Sequence, residues 1–358
     1  MATPQSPMPQ GAQGQQQLIP FRRNTMQTFQ LNQTDNSKAH TLGSTVSYRF
    51  DKYGGLSGIL FFLYGTVTLS SGGTLANLGP FNLVNRFRLT LNNNAITVAD
   101  IDGFHAYQLG KIMTRGFAAD GGGDYTPNSL VYSFPVANGA NTVVLPYFIP
   151  ISLNPGSDVL TGMINMQSQT ANLALEVVME STGSNVVSNF SSLSLTGEVW
   201  NFTYELRKST ELPPLVICTS QQKTENITAV GQTIHEIIPQ GDLYQLIGTV
   251  ILNGERNSAD VTNLQYRAGT NKYNYIESPR FQHWLYERNY GKPAQTGVFV
   301  RDFFYAQESP NSGDFRDIVH TNNFTKLEWL VNVASGATLG SNNNFFHVVE
   351  RRVIPLAL

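Results

Sequence analysis

Two short acidic words in this chain carry residue types suited to ion or acid–base chemistry: Asp100-Ile101-Asp102-Gly103 and Asp120-Gly121-Gly122-Gly123-Asp124. Carboxylates and carbonyls on glycine-bearing turns are hard oxygen donors that can hold Ca²⁺. Neither word has the spacing of a full EF-hand loop, and the first stands at the start of a helix-like stretch. We therefore expect the first to cap that helix and the second to form an exposed loop tip. Two carboxylates roughly 5 to 9.5 Å apart in space can also hydrolyse a glycoside, and with 25 Asp and Glu chance pairs are certain. The six histidines, His40, His105, His235, His283, His320 and His347, are scattered, and none makes the i, i+4 pair of a helical zinc site. The single cysteine, Cys218, excludes an intrachain disulfide and a cysteine-based metal cluster. No G-x-S-x-G word marks a nucleophile. The expectation is a chain with no catalytic, metal-binding or cofactor-binding residue, and with no cofactor.

One further site carries charge beside apolar surface. Residues 1 to about 35 are rich in Gln and poor in apolar groups, a composition that cannot offset its own ordering entropy, and they read as an arm that orders on contact. Within it, Leu18-Ile19-Pro20-Phe21-Arg22-Arg23 joins apolar side chains to two cations, suited to membrane phosphates or a neighbouring subunit. Met1 to Gln17 lack the charged start and apolar core of a secretory signal, and the longest strongly apolar run, Ile59 to Tyr64, is far short of the ~20 residues that span a bilayer. These features predict a soluble, non-exported protein.

The elements that must position these residues are mostly β-strands. From Thr45 onward, short runs of Val, Ile, Leu, Phe, Tyr and Thr are split by Gly, Asn, Asp and Pro about every ten residues, with no helix between successive strands. Examples are Phe87 to Leu91 stopped by Asn92-Asn93-Asn94, and Thr142 to Leu145 stopped by Pro146. The pattern fits jelly-roll, immunoglobulin-like and other antiparallel sandwiches alike. It also occurs twice. Leu63-Tyr64-Gly65-Thr66-Val67-Thr68-Leu69 matches Leu246-Ile247-Gly248-Thr249-Val250-Ile251-Leu252. The helix-like stretches Ile101 to Arg115 and Pro279 to Tyr290 follow, then the strands Leu173 to Met179 and Leu327 to Val333. Phe202 to Lys208 and Phe346 to Arg352 close the two halves. An offset of about 150 to 180 residues is that of a whole domain. We read an arm over 1–35, one domain over 36–208 and a second over 209–358, with the hinge near Ser209 to Pro214. In the second helix Ser278 is the cap, Pro279 the first residue, and Phe281, Trp284 and Leu285 one apolar stripe.

Composition restricts the partners. Only 13% of the 358 residues are charged against a usual ~25%, and Asn, Ser, Thr, Gln and 31 glycines fill the gap. Such a surface suits polar loops and faces buried by other subunits. A formal charge of −2 leaves no basic footprint, so direct nucleic-acid binding is not expected.

One stretch is more specific: Leu78-Gly79-Pro80-Phe81-Asn82-Leu83-Val84-Asn85-Arg86. It resembles the G-P-x-N-L-V-x-R word in the first domain of tectivirus major capsid proteins, within the adenovirus-type double jelly-roll lineage. The Gln-rich arm, Tyr147-Phe148-Ile149-Pro150, Leu160-Thr161-Gly162, and Pro279 to Arg288 followed by Gly297-Val298-Phe299 are similar in context. The resemblance implies an all-β chain of two tandem eight-stranded jelly rolls with a few short helices and an N-terminal arm. It implies a structural protein, not an enzyme: homotrimers of pseudo-hexagonal outline tile an icosahedral shell over an internal membrane. Implied partners are the chain itself, neighbouring trimers, vertex (penton) and minor capsid proteins, and the inner membrane through the arm, with assembly in the host cytoplasm. On that reading Phe21, Arg22, Arg23, Arg351 and Arg352 are the candidates for membrane or inter-subunit contact. The competing reading is a two-domain β-sandwich that binds or cleaves glycans: a lectin, a spike or a hydrolase. Against a lectin, Trp200, Trp284 and Trp329 sit in core-facing patterns.

Overall fold

The structure is a computed structural model and describes residues 26–33, 37–113, 132–153, 162–167, 172–206, 216–231, 233–238, 243–253, 255–256, 258–268, 273–291, 294–302, 319–320, 327–337 and 344–355. The first half supplies β1 (Met26–Gln33), β2 (Lys38–His40), β3 (Thr45–Arg49), β4 (Gly55–Leu69), β5 (Val84–Leu91), β6 (Ile96–Ile101), α1 (Gly103–Met113), β7 (Gly139–Pro150), β8 (Ile164–Asn165), β9 (Leu173–Met179) and β10 (Phe190–Leu206). The second supplies β11 (Val216–Asn226), β12 (Thr233–Ile238), β13 (Leu243–Asn253), β14 (Glu255–Arg256), β15 (Val261–Ala268), β16 (Tyr273–Glu277), α2 (Pro279–Tyr290), β17 (Val298–Asp302), β18 (Val319–His320), β19 (Leu327–Val333) and β20 (Asn344–Pro355).

Each half folds into two facing layers built on four main strands, with β2 added beside β10 and β8 beside β4 in the first half, and β14 and β18 beside β13 in the second. In the first, β1-β10-β4-β7 faces β3-β9-β5-β6; in the second, β11-β20-β13-β17 faces β12-β19-β15-β16. The order of pairing along the chain is the same in both, and each half places its helix between the fourth strand of one layer and the last strand of the other. That is the jelly-roll wiring, present twice.

The patterning explains the layers. β9 reads Leu-Ala-Leu-Glu-Val-Val-Met and alternates buried with half-buried positions along its whole length, as a strand with one face on a core must. Between the first two layers, Tyr48, Phe61, Phe87, Tyr147 and Phe81 form a run of fully buried rings in edge-on or tilted contact at 5.2 to 6.0 Å. Gly197 in β10 is needed for close approach: a Cβ there would stand 2.5 Å from His40 Nε2, 2.6 Å from the Tyr48 hydroxyl and 2.7 Å from Phe61. Asn92, Asn93 and Asn94 all adopt left-handed φ of 55 to 71° and reverse the chain between β5 and β6. Asn is among the non-glycine residues most tolerant of that region.

The structure departs from the sequence reading at three points. Pro146 does not end its strand, since β7 runs on to Pro150. β7 is the last strand of its layer, and Val144, two residues earlier, turns its backbone outward to Ser133. Pro146 shares that parity, so its missing N–H costs no ladder bond. The repeat is real in its elements, but its fourth pair is out of register. Leu63 stands opposite Gly197 and Leu246 opposite Arg351, so Phe346 to Arg351 corresponds to Ser192 to Gly197 of β10, not to the stretch from Phe202. β10 is longer than β20 and carries its extra residues past that point, where they pair with β1 and the start of β4. Finally, the stretch read as a contact-ordered arm contributes β1, which pairs within the chain, from Met26 opposite Leu206 to Gln33 opposite Trp200. The hinge at 209–214 and the acidic word at 120–124 lie outside the described residues.

His40 gives a test of the first core. Its Nε2 lies 2.9 Å from the Tyr48 hydroxyl, which donates to the Gly197 carbonyl at 3.1 Å. Burial first, then the charge of Lys38, pushes its pKa down to about 4. The unfolded chain takes up this proton near pH 6.5 and the folded chain only near 4, so its contribution to stability is complete above 6.5 and is lost as pH falls toward 4. Replacing the ionisable ring by His40→Gln costs stability at pH 7, and the gap in denaturation midpoint between wild type and variant narrows on acidification toward pH 4.

Candidate functional site

The two halves meet through a backbone ladder. β6, at the margin of the first half, pairs in parallel with β11, at the margin of the second: Ala99 stands opposite Ser220 and Asp100 opposite Gln221. One ten-stranded sheet therefore runs through both halves. Ile217, Cys218, Thr219 and Ser220 of β11 are all buried. Gly162, at a left-handed φ of 80°, lies so close that a Cβ would stand 2.5 Å from Cys218 Sγ. The lone cysteine is thus packed at this seam.

The first acidic word belongs to the same seam. Asp102 Oδ1 accepts from the His105 N–H at 2.8 Å and lies 2.7 Å from His105 Nδ1, so Asp102 caps α1 as expected. Its other oxygen accepts from Gln222 Nε2 at 3.0 Å, while the Asp102 N–H donates to Gln222 Oε1 at 2.8 Å. One residue of the first half and one of the second exchange two hydrogen bonds. Asp100 is held differently: Arg86 Nε and Nη2 donate to its two oxygens, both at 2.6 Å, and the hydrogen bond to Asp100 raises the Arg86 pKa. Both carboxylates are engaged by protein groups, which leaves the Ca²⁺ reading of this word without support. Among the described residues no group of three or more His, Cys, Asp or Glu could hold a metal ion.

Further along, Gln108 of α1 donates to Gln295, just before β17, at 2.5 Å, and both are buried. Gly103 to Ile112 of α1 are buried without exception, Lys111 included. The stretch Leu78 to Arg86 is what seats this helix. Phe81 stacks on Tyr107 at 3.7 Å, Tyr147 donates to the Phe81 carbonyl at 3.2 Å, and Asn82 Nδ2 donates to the Asn185 carbonyl at 2.8 Å. Each of these contacts is internal to the fold.

α2 is placed differently, and here the sequence reading fails. Ser278 does cap it, accepting from the Phe281 N–H at 3.2 Å, but the buried positions are Gln282 and Tyr286, not Phe281, Trp284 and Leu285. Polar anchors decide the rotation of the helix. Gln282 donates to Glu277, Arg301 Nη1 to Glu277 at 2.5 Å, and Tyr290 to Asp302 at 2.7 Å. Burial raises the Glu277 pKa while Arg301 opposes the shift. Phe281 and Trp284 are left 44% and 51% exposed, stacked at 5.8 Å, with Arg288 over the indole at 5.6 Å. Of the other tryptophans, Trp329 is fully buried and Trp200 donates to Glu198 at 3.3 Å.

Phe21, Arg22 and Arg23 lie outside the described residues. Arg351 and Arg352 stand within β20, between β11 and β13, opposite Ser220 and Thr219 on one side and Leu246 and Tyr244 on the other. Sequence reasoning missed Gln222, Gln108 and Gln295. A signal existed for the first: the polar run Thr219-Ser220-Gln221-Gln222 inside a strand marks a face that meets protein on both sides.

No family model and no curated relative matches this chain. Solved structures do. The major capsid protein of Sulfolobus Turreted Icosahedral Virus aligns with a TM-score of 0.67 at 14% identity, over 92% of this chain and 97% of that one. The PBCV-1 virus capsid model aligns at 0.59 and 12%, over 94% and 97%. The major capsid protein of bacteriophage PM2 aligns at 0.55 and 8%, over 92% and 98%. At these identities the likeness is one of fold, and it extends over nearly the whole of each chain. The chain is a double jelly-roll protein.

The Asp102–Gln222 pair gives a direct test of the seam. Asp102→Ala removes the cap and the carboxylate's half of the bridge, leaving the backbone N–H bond to Gln222, and costs about 1 to 3 kcal/mol, whereas Gln222→Ala removes both bridge bonds and keeps the cap. A double-mutant cycle read by urea denaturation gives a coupling above about 0.5 kcal/mol; additive losses would mean that the bridge contributes nothing.

Proposed function

We propose that this chain is the major capsid protein of an icosahedral virus, a subunit without enzymatic turnover that assembles with copies of itself. The observation that carries the reading is the seam: two jelly rolls joined through one sheet, in a chain matched over nearly its whole length by capsid proteins of the same build. In finer detail, three chains form a trimer whose six jelly rolls give a pseudo-hexagonal outline, and trimers tile a shell. The low charge fits this, since Asn, Gln and Thr can satisfy one another at subunit faces where charges would cost desolvation.

On this reading the domains are 36–208 and 209–358, and the preceding stretch 1–35 lays its strand β1 on the first of them. The shell is of the tectivirus kind, over an internal membrane, and is completed by vertex and minor capsid proteins. Phe21, Arg22, Arg23, Arg351 and Arg352 serve contact with that membrane or with a neighbouring subunit.

Light scattering on the purified full chain tests the proposal. The expected mass is close to three times 39.5 kDa. A strict monomer at every concentration contradicts it and returns attention to glycan binding.

A further inference from the structure

The main strands of the two jelly rolls correspond, so each first-half position at the internal seam has a counterpart on the outer side of the second jelly roll. Registers fix that counterpart residue by residue. Ser220 stands opposite Arg351, and Arg351 opposite Leu246; Lys38 stands opposite Gly197, and Gly197 opposite Leu63. Leu63 and Leu246 open the repeated words, so Lys38 corresponds to Ser220, Ala39 to Gln221 and His40 to Gln222. Through β9 and β19, Leu91 corresponds to Ala268, which makes Ala99 equivalent to Tyr275 and Asp100 to Ile276. Counting on from there, Asp102 matches Ser278, His105 matches Phe281 and Gln108 matches Trp284.

These equivalences account for the exposed face of the second jelly roll. β6 is paired on its outer side by β11, whereas β16, its counterpart, ends its sheet among the described strands. Asp100 pairs in the seam with its side chain 33% exposed, and its counterpart Ile276 is 61% exposed. His105 and Gln108 are 3% and 5% exposed, while Phe281 and Trp284 stand in solvent. The second jelly roll thus presents, uncovered and apolar, the positions that the first covers within the chain.

We propose that a second copy of this chain covers this face by repeating the internal seam. β16 takes β2 of the next copy in parallel along its outer edge, with Tyr275 beside Lys38 and Ile276 beside Ala39. Phe281 and Trp284 pack on that copy's first jelly roll. Gln295, which meets Gln108, corresponds to Asn138 through the register of β17 with β13 and of β7 with β4, so Trp284 meets the exposed turn at Ala137 and Asn138. Unpaired strand edges are templates for such addition, and a head-to-tail contact of this kind closes into a ring when its rotation is a whole fraction of a turn. The number of copies, three, rests on the capsid reading above.

The test is disulfide trapping in the full chain carrying both Trp284→Cys and Asn138→Cys, with buried Cys218 left in place. Mild oxidation is expected to give dimer and trimer bands on a non-reducing gel, with neither single variant giving them. As an independent readout, Trp284→Glu is expected to weaken self-association at least tenfold in sedimentation while circular dichroism stays that of wild type. A wild-type trimer that neither cross-links nor responds to Trp284→Glu overturns this interface and leaves the capsid reading standing. A monomeric wild type overturns both.

Discussion

The backbone pairing of β6 with β11 is the constraint on which the rest of the molecule depends. A side-chain interface between two sandwiches leaves them free to pivot; a shared ladder fixes both strand direction and register. The pairing spans only two residues on each strand, so it is held by what surrounds it. Asp102 and Gln222 lock one end, Gly162 lies close against Cys218 of β11, and one continuous apolar core joins the first jelly roll to Ile217, Tyr286, Val298 and Val300. The two jelly rolls are built as one block, with a shared sheet and a shared core.

Such a block has two unlike ends. The first jelly roll spends the margin at β6 on the second, and its helix α1 is enclosed along nearly its whole length. The second keeps its margin at β16 and an aromatic pair on α2 turned outward. A protein that works alone gains nothing from an exposed strand edge beside exposed Phe and Trp, which invite aggregation. A subunit of a closed assembly needs both.

Much of this is legible in the sequence. The repeated words Leu63 to Leu69 and Leu246 to Leu252 fall in β4 and β13, and Leu173 to Met179 and Leu327 to Val333 are β9 and β19, because strand hydrophobicity is imposed by the core each half must fill. The cap at Asp102 is legible for a local reason. What escapes reading depends on distant partners. Nothing near Gln108 announces a contact across the seam, and the polar run around Gln222 marks a face without naming its partner. The rotation of α2 is set by Glu277, Arg301 and Asp302, against the direction its apolar stripe suggests. The register of β20 is hidden because strands rich in Phe, Val and charged residues resemble one another under a shift.

The most direct test of the central claim, that six equivalent jelly rolls close around three chains, is electron cryomicroscopy of the purified full chain with class averages viewed down the particle axis. Threefold particles with six lobes of nearly equal size are expected, in which lobes within a chain and lobes between chains are joined alike. Two-lobed single chains, or dimers joined through equivalent faces, would contradict it.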